Sequence, residues 1–288
     1  MSIGVFGFVL GAPGQALAAN LPTGANVTHG QVAIQQPGVD ALRIVQQSQN
    51  AVINWHSFDI GSNAAVDIVQ PNIDAALLSR VVGGNPSEIL GSLNANGRLF
   101  LVNPNGIIFG KNSTVDVHAL IASTLDIADS AFMSGNISFT GDSEAAVINL
   151  GSINAESFAA LIGGKVDNSG SIIVPGGDAA LLSGDATLEI GEAEGGKISL
   201  DFSGLLDGLT INSGSIDVAS STMQGGSATI LGERILIDGS VDASGSTGGG
   251  TILVGGDYKG ENTNLFNASA TVLAAGARSA RKESRPDW

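Results

Sequence analysis

The chain has 288 residues, of which 43% are hydrophobic and only 14% are charged. Average proteins have about 25% charged residues, and a chain that is this apolar and this poor in charge buries enough surface to fold, which excludes intrinsic disorder. The glycines show no three-residue period, which excludes collagen. The formal net charge of −15 argues against nucleic acid and anionic membrane surfaces as partners, and it favours a soluble monomer because copies repel one another.

The amino terminus has the pattern of a secretory signal peptide. Residues 3–10 are almost wholly apolar, and small residues follow at Ala16 and Ala18. This predicts a signal peptide over residues 1–18, cleaved between Ala18 and Ala19, with an incomplete n-region because no Lys or Arg precedes the apolar run. Cysteine is absent, as in many cytosolic proteins or in a chain that crosses an oxidising compartment unfolded; the amino terminus favours the second interpretation.

One short helix is predicted before a strand–turn–strand unit. Asn85, Pro86 and Glu88 have the spacing of an N-cap, a first-turn proline and a capping-box glutamate, which predicts one or two helical turns. Residues 99–102 and 107–109 are apolar and are separated by Asn-Pro-Asn-Gly. This pattern predicts a tight turn between two strands.

A short pattern recurs farther along the chain: Asn or Asp, one or two small residues, Ser, then alternating apolar and polar positions. Copies begin at Asn149, Asn168, Asn212 and Asp238, and a weaker copy begins at Asn112. The separations of 19, 44 and 26 residues fit one coil, two coils and one enlarged coil of a unit of about twenty residues.

These repeats favour a β-helix. Helical periodicity is almost absent, which disfavours a doubly wound α/β fold. We predict an all-β parallel β-helix of roughly twelve coils stacked at about 4.8 Å, with an antiparallel β-sandwich as the alternative.

Residues 94–111, Asn-Ala-Asn-Gly-Arg-Leu-Phe-Leu-Val-Asn-Pro-Asn-Gly-Ile-Ile-Phe-Gly-Lys, resemble the signature of the two-partner secretion domain of filamentous-haemagglutinin-like exoproteins. Residues 21–24, 53–61 and 77–82 occupy the expected order. The resemblance implies a right-handed parallel β-helix with an amino-terminal cap over roughly residues 19–40 and short antiparallel extra-helical strands. It also implies a secretion domain over 19–140 and β-helix repeats over 141–277.

The chain ends differently from its repeats. The repeat stops at Gly276, and four of the twelve basic residues lie within 278–288. We predict a basic disordered tail there, and we expect a truncated or frameshifted reading frame in preference to a functional basic tail.

The resemblance also implies secretion sites and partners. The family motif Asn-Pro-Asn-Gly-Ile maps without change onto Asn103, Pro104, Asn105, Gly106 and Ile107. The second family motif, Asn-Pro-Asn-Leu, has a partial match, in which two of four positions differ, at Gln70, Pro71, Asn72 and Ile73. The implied partner is an outer-membrane β-barrel transporter with periplasmic transport domains. The implied function is that of a secreted or cell-surface exoprotein, with adhesion or haemagglutination on host-cell or surface glycans or receptors.

Signals for catalysis are poor. His29, His56 and His118 form no metal-binding pattern, and no nucleophile-elbow motif occurs. We therefore predict no catalytic residue, metal or cofactor. Two alternatives stay open: a secreted β-helix polysaccharide lyase or hydrolase, and the amino-terminal delivery fragment of a contact-dependent toxin. Trp55 and Phe58 are expected to plug the core near one end of the solenoid rather than line a ligand groove.

Overall fold

A computed structural model describes residues 20–135, 137–184, 187–192, 198–203, 208–256 and 267–281. The predicted signal peptide and the Ala18–Ala19 cleavage site lie outside the described residues, as do residues 282–288 of the predicted basic tail. Arg278–Ala280, at the start of that predicted disordered tail, instead form a strand that pairs with Ser240–Asp242 of the preceding coil. Within the described part, no helix is long and apolar enough to cross a membrane.

The chain winds as a parallel β-helix with three faces, and each coil pairs with the next. Face one consists of β3 (Ala41–Gln46), β5 (Ala65–Val69), the first halves of β8 (Ser92–Val102), β10 (Thr114–Ser123) and β14 (Ser152–Gly163), then β16 (Ser171–Ile173), β21 (Ser215–Asp217), β24 (Ser240–Asp242) and β27 (Arg278–Ala280). Face two consists of β4 (Asn50–Trp55), β6 (Ala76–Val81), the second halves of β8, β10 and β14, then β17 (Asp178–Ser183), β22 (Ser227–Leu231) and β25 (Thr251–Val254). Face three consists of β7 (Ser87–Ile89), β9 (Ile107–Phe109), β13 (Ala146–Asn149), β15 (Lys165–Asn168), β20 (Leu209–Asn212), β23 (Arg234–Ile237) and β26 (Ala270–Leu273).

The interior of the helix is filled by columns of aligned aliphatic side chains. Because strand residues alternate in direction, the same register position of every coil points inward. On face one this column is buried from the first strand to the eighth and runs through Leu42, Val66, Leu93, Val115, Ile153, Ile172, Ile216 and Val241. Parallel stacking confirms the β-helix and contradicts the β-sandwich alternative.

The amino-terminal end is closed by antiparallel strands, as predicted for the cap. β1 (Asn26–His29) pairs with β4, and β2 (Val32–Gly38) pairs with β3. Beneath them Trp55 and Phe58 are buried, with ring centroids 5.4 Å apart in an edge-to-face arrangement. The two aromatic residues therefore plug the core, as predicted.

Extra-helical elements cover the outside of face two. β11 (Asp126–Ile127), β12 (Ile137–Thr140), β18 (Thr187–Glu192) and β19 (Ile198–Ser203) form a separate antiparallel sheet, and α1 (Asp129–Met133) lies between β11 and β12. We call the described residues 126–135 and 137–140 the strap. Phe132 and Phe139 of the strap pack on Phe100 of face two, at centroid distances of 5.1 and 6.4 Å. A second hydrophobic core thus lies outside the helix.

The predicted helix at residues 85–88 is wrong. Residues Ser87–Ile89 form β7, which pairs in parallel with β9, and Ile89 also bridges to Ile60. Ile89 is fully buried, so pairing and burial with the neighbouring coils override the local capping pattern.

The predicted coil count also needs correction. Asn168 pairs directly with Asn212, so these 44 residues are one coil that carries β18 and β19 as an insertion, not two coils. The partner of Asn212 in the next coil is Ile237 rather than Asp238. Within the described residues face one has nine strands, fewer than the roughly twelve coils expected, because the insertions take up chain length.

The Asn-x-Gly-Ser repeat builds the corner between face three and face one. Its asparagines form a buried ladder, in which Asn149 Nδ2 donates to Asn168 Oδ1 at 2.8 Å and Asn168 Nδ2 donates to Asn212 Oδ1 at 2.7 Å. Its glycines stack so closely that a Cβ on Gly214 would lie 2.0 Å from the Gly170 carbonyl oxygen. The repeat therefore encodes backbone contact between coils.

Candidate functional site

The Asn103–Ile107 segment forms the tight turn between face two and face three, as predicted. Asn103 is fully buried at its start. Its side-chain Nδ2 donates to the Asn85 carbonyl oxygen and to Ser87 Oγ, both at 3.0 Å, and its backbone N donates to the Ser123 carbonyl oxygen at 3.0 Å. Asn103 therefore fastens the turn to the coils on both sides.

The same side chain shapes the turn from within. Asn103 Oδ1 accepts a hydrogen bond from the Asn105 backbone N at 3.0 Å, and the Asn103 carbonyl oxygen accepts one from Gly106 N at 3.0 Å. Gly106 has a φ of +114°, which side-chain-bearing residues rarely adopt. Ile107 then enters the core. Asn103, Gly106 and Ile107 thus each have a separate structural role in the turn.

Pro104 and Asn105 form the exposed tip of this turn. Asn105 Nδ2 donates to the Gly83 carbonyl oxygen at 2.8 Å, in the preceding coil. The Pro104 carbonyl oxygen accepts a hydrogen bond from Ser143 Oγ at 2.6 Å, in the following coil. The tip is accessible and at the same time held in one conformation.

The partial motif at residues 70–73 lies at a different corner, between face one and face two. Gln70 is buried, and its Nε2 donates to the Ala75 carbonyl oxygen at 2.8 Å and to Gln46 Oε1 at 3.2 Å. Asn72 exchanges hydrogen bonds with Gln49, while Pro71 is exposed and Ile73 is 53% exposed. The structure therefore does not bring the two motif segments together.

Arg80 is a structural residue that the sequence analysis did not single out. Its side chain, 11% exposed, donates to Asp126 Oδ1 at 2.7 Å and Asp129 Oδ1 at 2.6 Å, and it also reaches the Ile127 carbonyl oxygen. Burial alone lowers the pKa of Arg80, but the hydrogen bonds to Asp129 and Asp126 and the charges of these carboxylates outweigh it and raise the pKa. An arginine in the mostly apolar segment 77–82 was the available signal, because buried arginines need partners.

The three histidines stay separate. His29 Nδ1 lies 3.2 Å from Asp129 Oδ2, which ties the cap to the strap, and His118 Nδ1 lies 2.9 Å from Glu156 Oε2. Among the described residues, no three His, Asp or Glu side chains are placed to hold a metal ion together.

Comparison with known proteins places this architecture. The family model described as TPS secretion domain matches residues 18–255. A heme/hemopexin-binding protein of Haemophilus influenzae is 38% identical over 167 residues, which cover 54% of this chain and 18% of that protein. The crystal structure of the HMW1 secretion domain from Haemophilus influenzae superposes with a TM-score of 0.69 at 26% identity, covering 92% of this chain and 85% of that one.

These matches cover different shares of this chain and of the related proteins. The chain spans less than a fifth of the length of the curated relatives it matches, at 18% and 14%. The matched family residues continue beyond residue 140, and the domain boundary drawn there stays a prediction.

Proposed function

The chain belongs to the TPS secretion domain family, and from this premise we propose that a dedicated outer-membrane transporter recognises the turn at Asn103–Ile107 during export. Proteins of this family are secreted through a two-partner system. The relatives that match are a secretion domain and heme/hemopexin-binding proteins, not enzymes. Adhesion of the exported β-helix to host-cell or surface glycans or receptors is the second part of the proposal.

The observation that carries the proposal is the difference in burial between the positions of the turn. Asn103, Gly106 and Ile107 are buried and build the turn, whereas Pro104 and Asn105 are exposed and present it. A tip that is already fixed loses little conformational entropy when a partner binds it. Hydrogen bonds to both neighbouring coils supply that rigidity.

The sequence and the fold together support one export route. We propose that a signal peptide directs the chain to the periplasm and that periplasmic transport domains of the transporter bind it there. The absence of cysteine keeps the chain free of cross-links during passage. The β-strands of each coil pair with those of the neighbouring coils, so folding propagates as coils emerge, and the net charge of −15 keeps the product monomeric.

Secretion is the direct test. The chain is expressed in a Gram-negative host with and without its two-partner transporter, and the medium and periplasm are assayed for folded protein. We expect release into the medium only when the transporter is present. Equal release without it, or periplasmic retention of folded protein with it, would overturn the assignment.

Asn105→Ala tests the tip itself. We expect secretion to fall at least severalfold with signal cleavage intact, because the variant removes an exposed amide that holds the tip to Gly83. Asn112→Ala is the matched control, since Asn112 is an exposed asparagine in the next turn. Unchanged secretion of Asn105→Ala, or an equal loss with Asn112→Ala, would show that the tip is not recognised.

A further inference from the structure

A groove runs along the outside of face one, next to the corner where the chain turns towards face two. Its volume is about 670 Å³, within the range of about 300–1,000 Å³ that small-molecule sites occupy. Its floor lies over Ala95, Val117 and Ala155, which are aligned in successive coils; their side chains are only 4–6% exposed and pack into the core of the helix. With coils about 4.8 Å apart, this floor is about 10 Å long along the helix axis.

Two rows of hydrogen-bonding side chains flank that floor. On the face-one side, Asn154 Nδ2 donates to Asp116 Oδ1 at 2.7 Å. On the corner side, His118 Nδ1 lies 2.9 Å from Glu156 Oε2. A carboxylate has about four acceptor sites, so Asp116 and Glu156 keep capacity for further donors.

The charge of the groove limits the class of ligand that it can bind. None of the described residues that line it is Lys or Arg, and the whole chain carries a net charge of −15. Anionic ligands are therefore repelled. The matching outside surface of face two is covered by the strap, whereas the face-one groove is open, so the groove is the accessible surface of these coils.

We propose that this groove binds a neutral, hydroxyl-rich oligosaccharide; the inference rests on the proposed adhesive function and names its site and ligand class. Sugar rings present C–H faces, which pack on the exposed side chains of Ile73 and Pro175, and hydroxyl groups, which both donate and accept. The carboxylates of Asp116 and Glu156 accept from those hydroxyls, and the imidazole of His118 and the amide of Asn154 lie beside them. Ile73 and Pro175 bound the groove at its two ends.

The test uses the purified, secreted chain on an array of neutral linear oligosaccharides, hexamers of β-linked glucose, galactose and N-acetylglucosamine, beside sialylated and sulfated glycans. We expect binding to a neutral oligosaccharide only. Its dissociation constant, measured by calorimetry, should rise about tenfold in Asp116→Ala, the effect of one lost charge-assisted hydrogen bond. Glu156→Gln, which preserves side-chain shape, should weaken binding in the same direction.

Asp217→Ala is the matched control. Asp217 occupies the same row of face one as Asp116, in register through Asn154 and Ile173, but lies outside the groove. The control should bind as the unaltered chain does, and thermal melting of every variant verifies that it is folded.

The outcomes separate the groove from the wider function. Binding restricted to sialylated or sulfated glycans, an equal loss in Asp217→Ala, or no glycan binding by a chain that still adheres to cells would overturn the groove assignment alone. A secreted, folded chain that adheres to no cell surface would instead overturn the proposed adhesion. Binding of a peptide in the groove in place of any glycan would also overturn the proposal.

Discussion

The buried asparagine ladder joins residues that are distant in sequence, and its members are not equivalent. Asn168 accepts a hydrogen bond from Asn149 and donates to Asn212 and to the Ser215 carbonyl oxygen. Asn212 accepts from Asn168, but its Nδ2 is buried without a partner within the described residues, because the next coil places Ile237 at that position. The ladder therefore has a fully bonded middle and an unsatisfied end.

We expect Asn168→Leu to destabilise the protein more than Asn212→Leu. Replacing Asn168 leaves polar groups of both neighbours buried without their partner, a loss of about 3 kcal/mol. Replacing Asn212 also removes a donor that is already unsatisfied, which limits the loss to about 1 kcal/mol. Urea unfolding of the two variants beside the unaltered chain measures the difference.

Equal midpoints for the two leucine variants would contradict this interpretation of the ladder. A second comparison, Asn149→Leu, should give an intermediate value, because Asn149 donates to Asn168 and Ser171 but has no asparagine before it; Phe109 occupies that position.

At the scale of elements, the strap is the feature that distinguishes this chain from a bare coil repeat. It lies over face two through Phe132 and Phe139 and is fixed by Arg80, while His29 and Thr28 bring the cap to the same carboxylate, Asp129. The cap is thus completed only by contacts from a segment about a hundred residues farther along the chain.

Arg80→Met should loosen the strap while preserving much of the aliphatic packing. We expect a loss of about 2 kcal/mol, less than for a fully buried ion pair because Asp126 is half exposed. Limited proteolysis should then cut within residues 124–140 several times faster than in the unaltered chain. Because the pKa of Arg80 is raised and lies far above neutrality, its contribution is present below its unfolded-state pKa and is lost only in strong alkali.

Arg43→Met is the control for that experiment, since Arg43 is an exposed arginine of the first coils. Unchanged protection of the strap in Arg80→Met would show that the ion pairs of Arg80 do not hold the strap. Equal cleavage in Arg43→Met would show that the effect is not specific to Arg80.

The sequence predicted well the elements whose residue patterns are local. The turn at Asn103–Gly106 combines proline, asparagine and glycine at the positions a tight turn requires, and Trp55 and Phe58 are large apolar residues near a predicted end. Local signals failed at residues 85–88, where the capping pattern was read without the neighbouring coils that turn Ser87–Ile89 into a strand.

Other parts could not be predicted because their partners are distant and follow no repeat. Arg80 meets Asp126 and Asp129, 46 and 49 residues away, inside an insertion with no coil pattern. The 44 residues between Asn168 and Asn212 have the length of two coils, but they form one coil with an inserted hairpin. Sequence length alone does not distinguish these two arrangements. The groove is also non-local, because three successive coils supply its floor.

At the scale of the whole molecule, glycines allow successive coils to pack closely. Glycines stack at the corner between face three and face one, where a Cβ on Gly170, Gly214 or Gly239 would lie 2.2, 2.0 or 1.9 Å from the carbonyl oxygen of the glycine below. Successive coils can approach at the strand spacing only because these positions lack a side chain. Within the stack, the strands of each coil pair with those of the coils next to it.

Gly214→Ala should therefore unfold one part of the rod and leave the other intact. The added methyl group meets backbone atoms that cannot move aside, at a cost of roughly 3 kcal/mol. We expect limited proteolysis to degrade the coils from residue 209 onward, while the coils before residue 170, with the cap and the Asn103 turn, stay protected. Transporter-dependent secretion should begin normally, because the turn proposed for recognition is unaffected.

Gly84→Ala is the matched control, since a Cβ there meets no atom within 4 Å and the residue has no positive φ. It should leave both halves protected. Loss of protection at both ends in Gly214→Ala would show that the rod unfolds as one cooperative unit, and folding could not then propagate coil by coil during export. A protected amino-terminal half would instead mean that the coils first to emerge hold their structure before the later ones arrive.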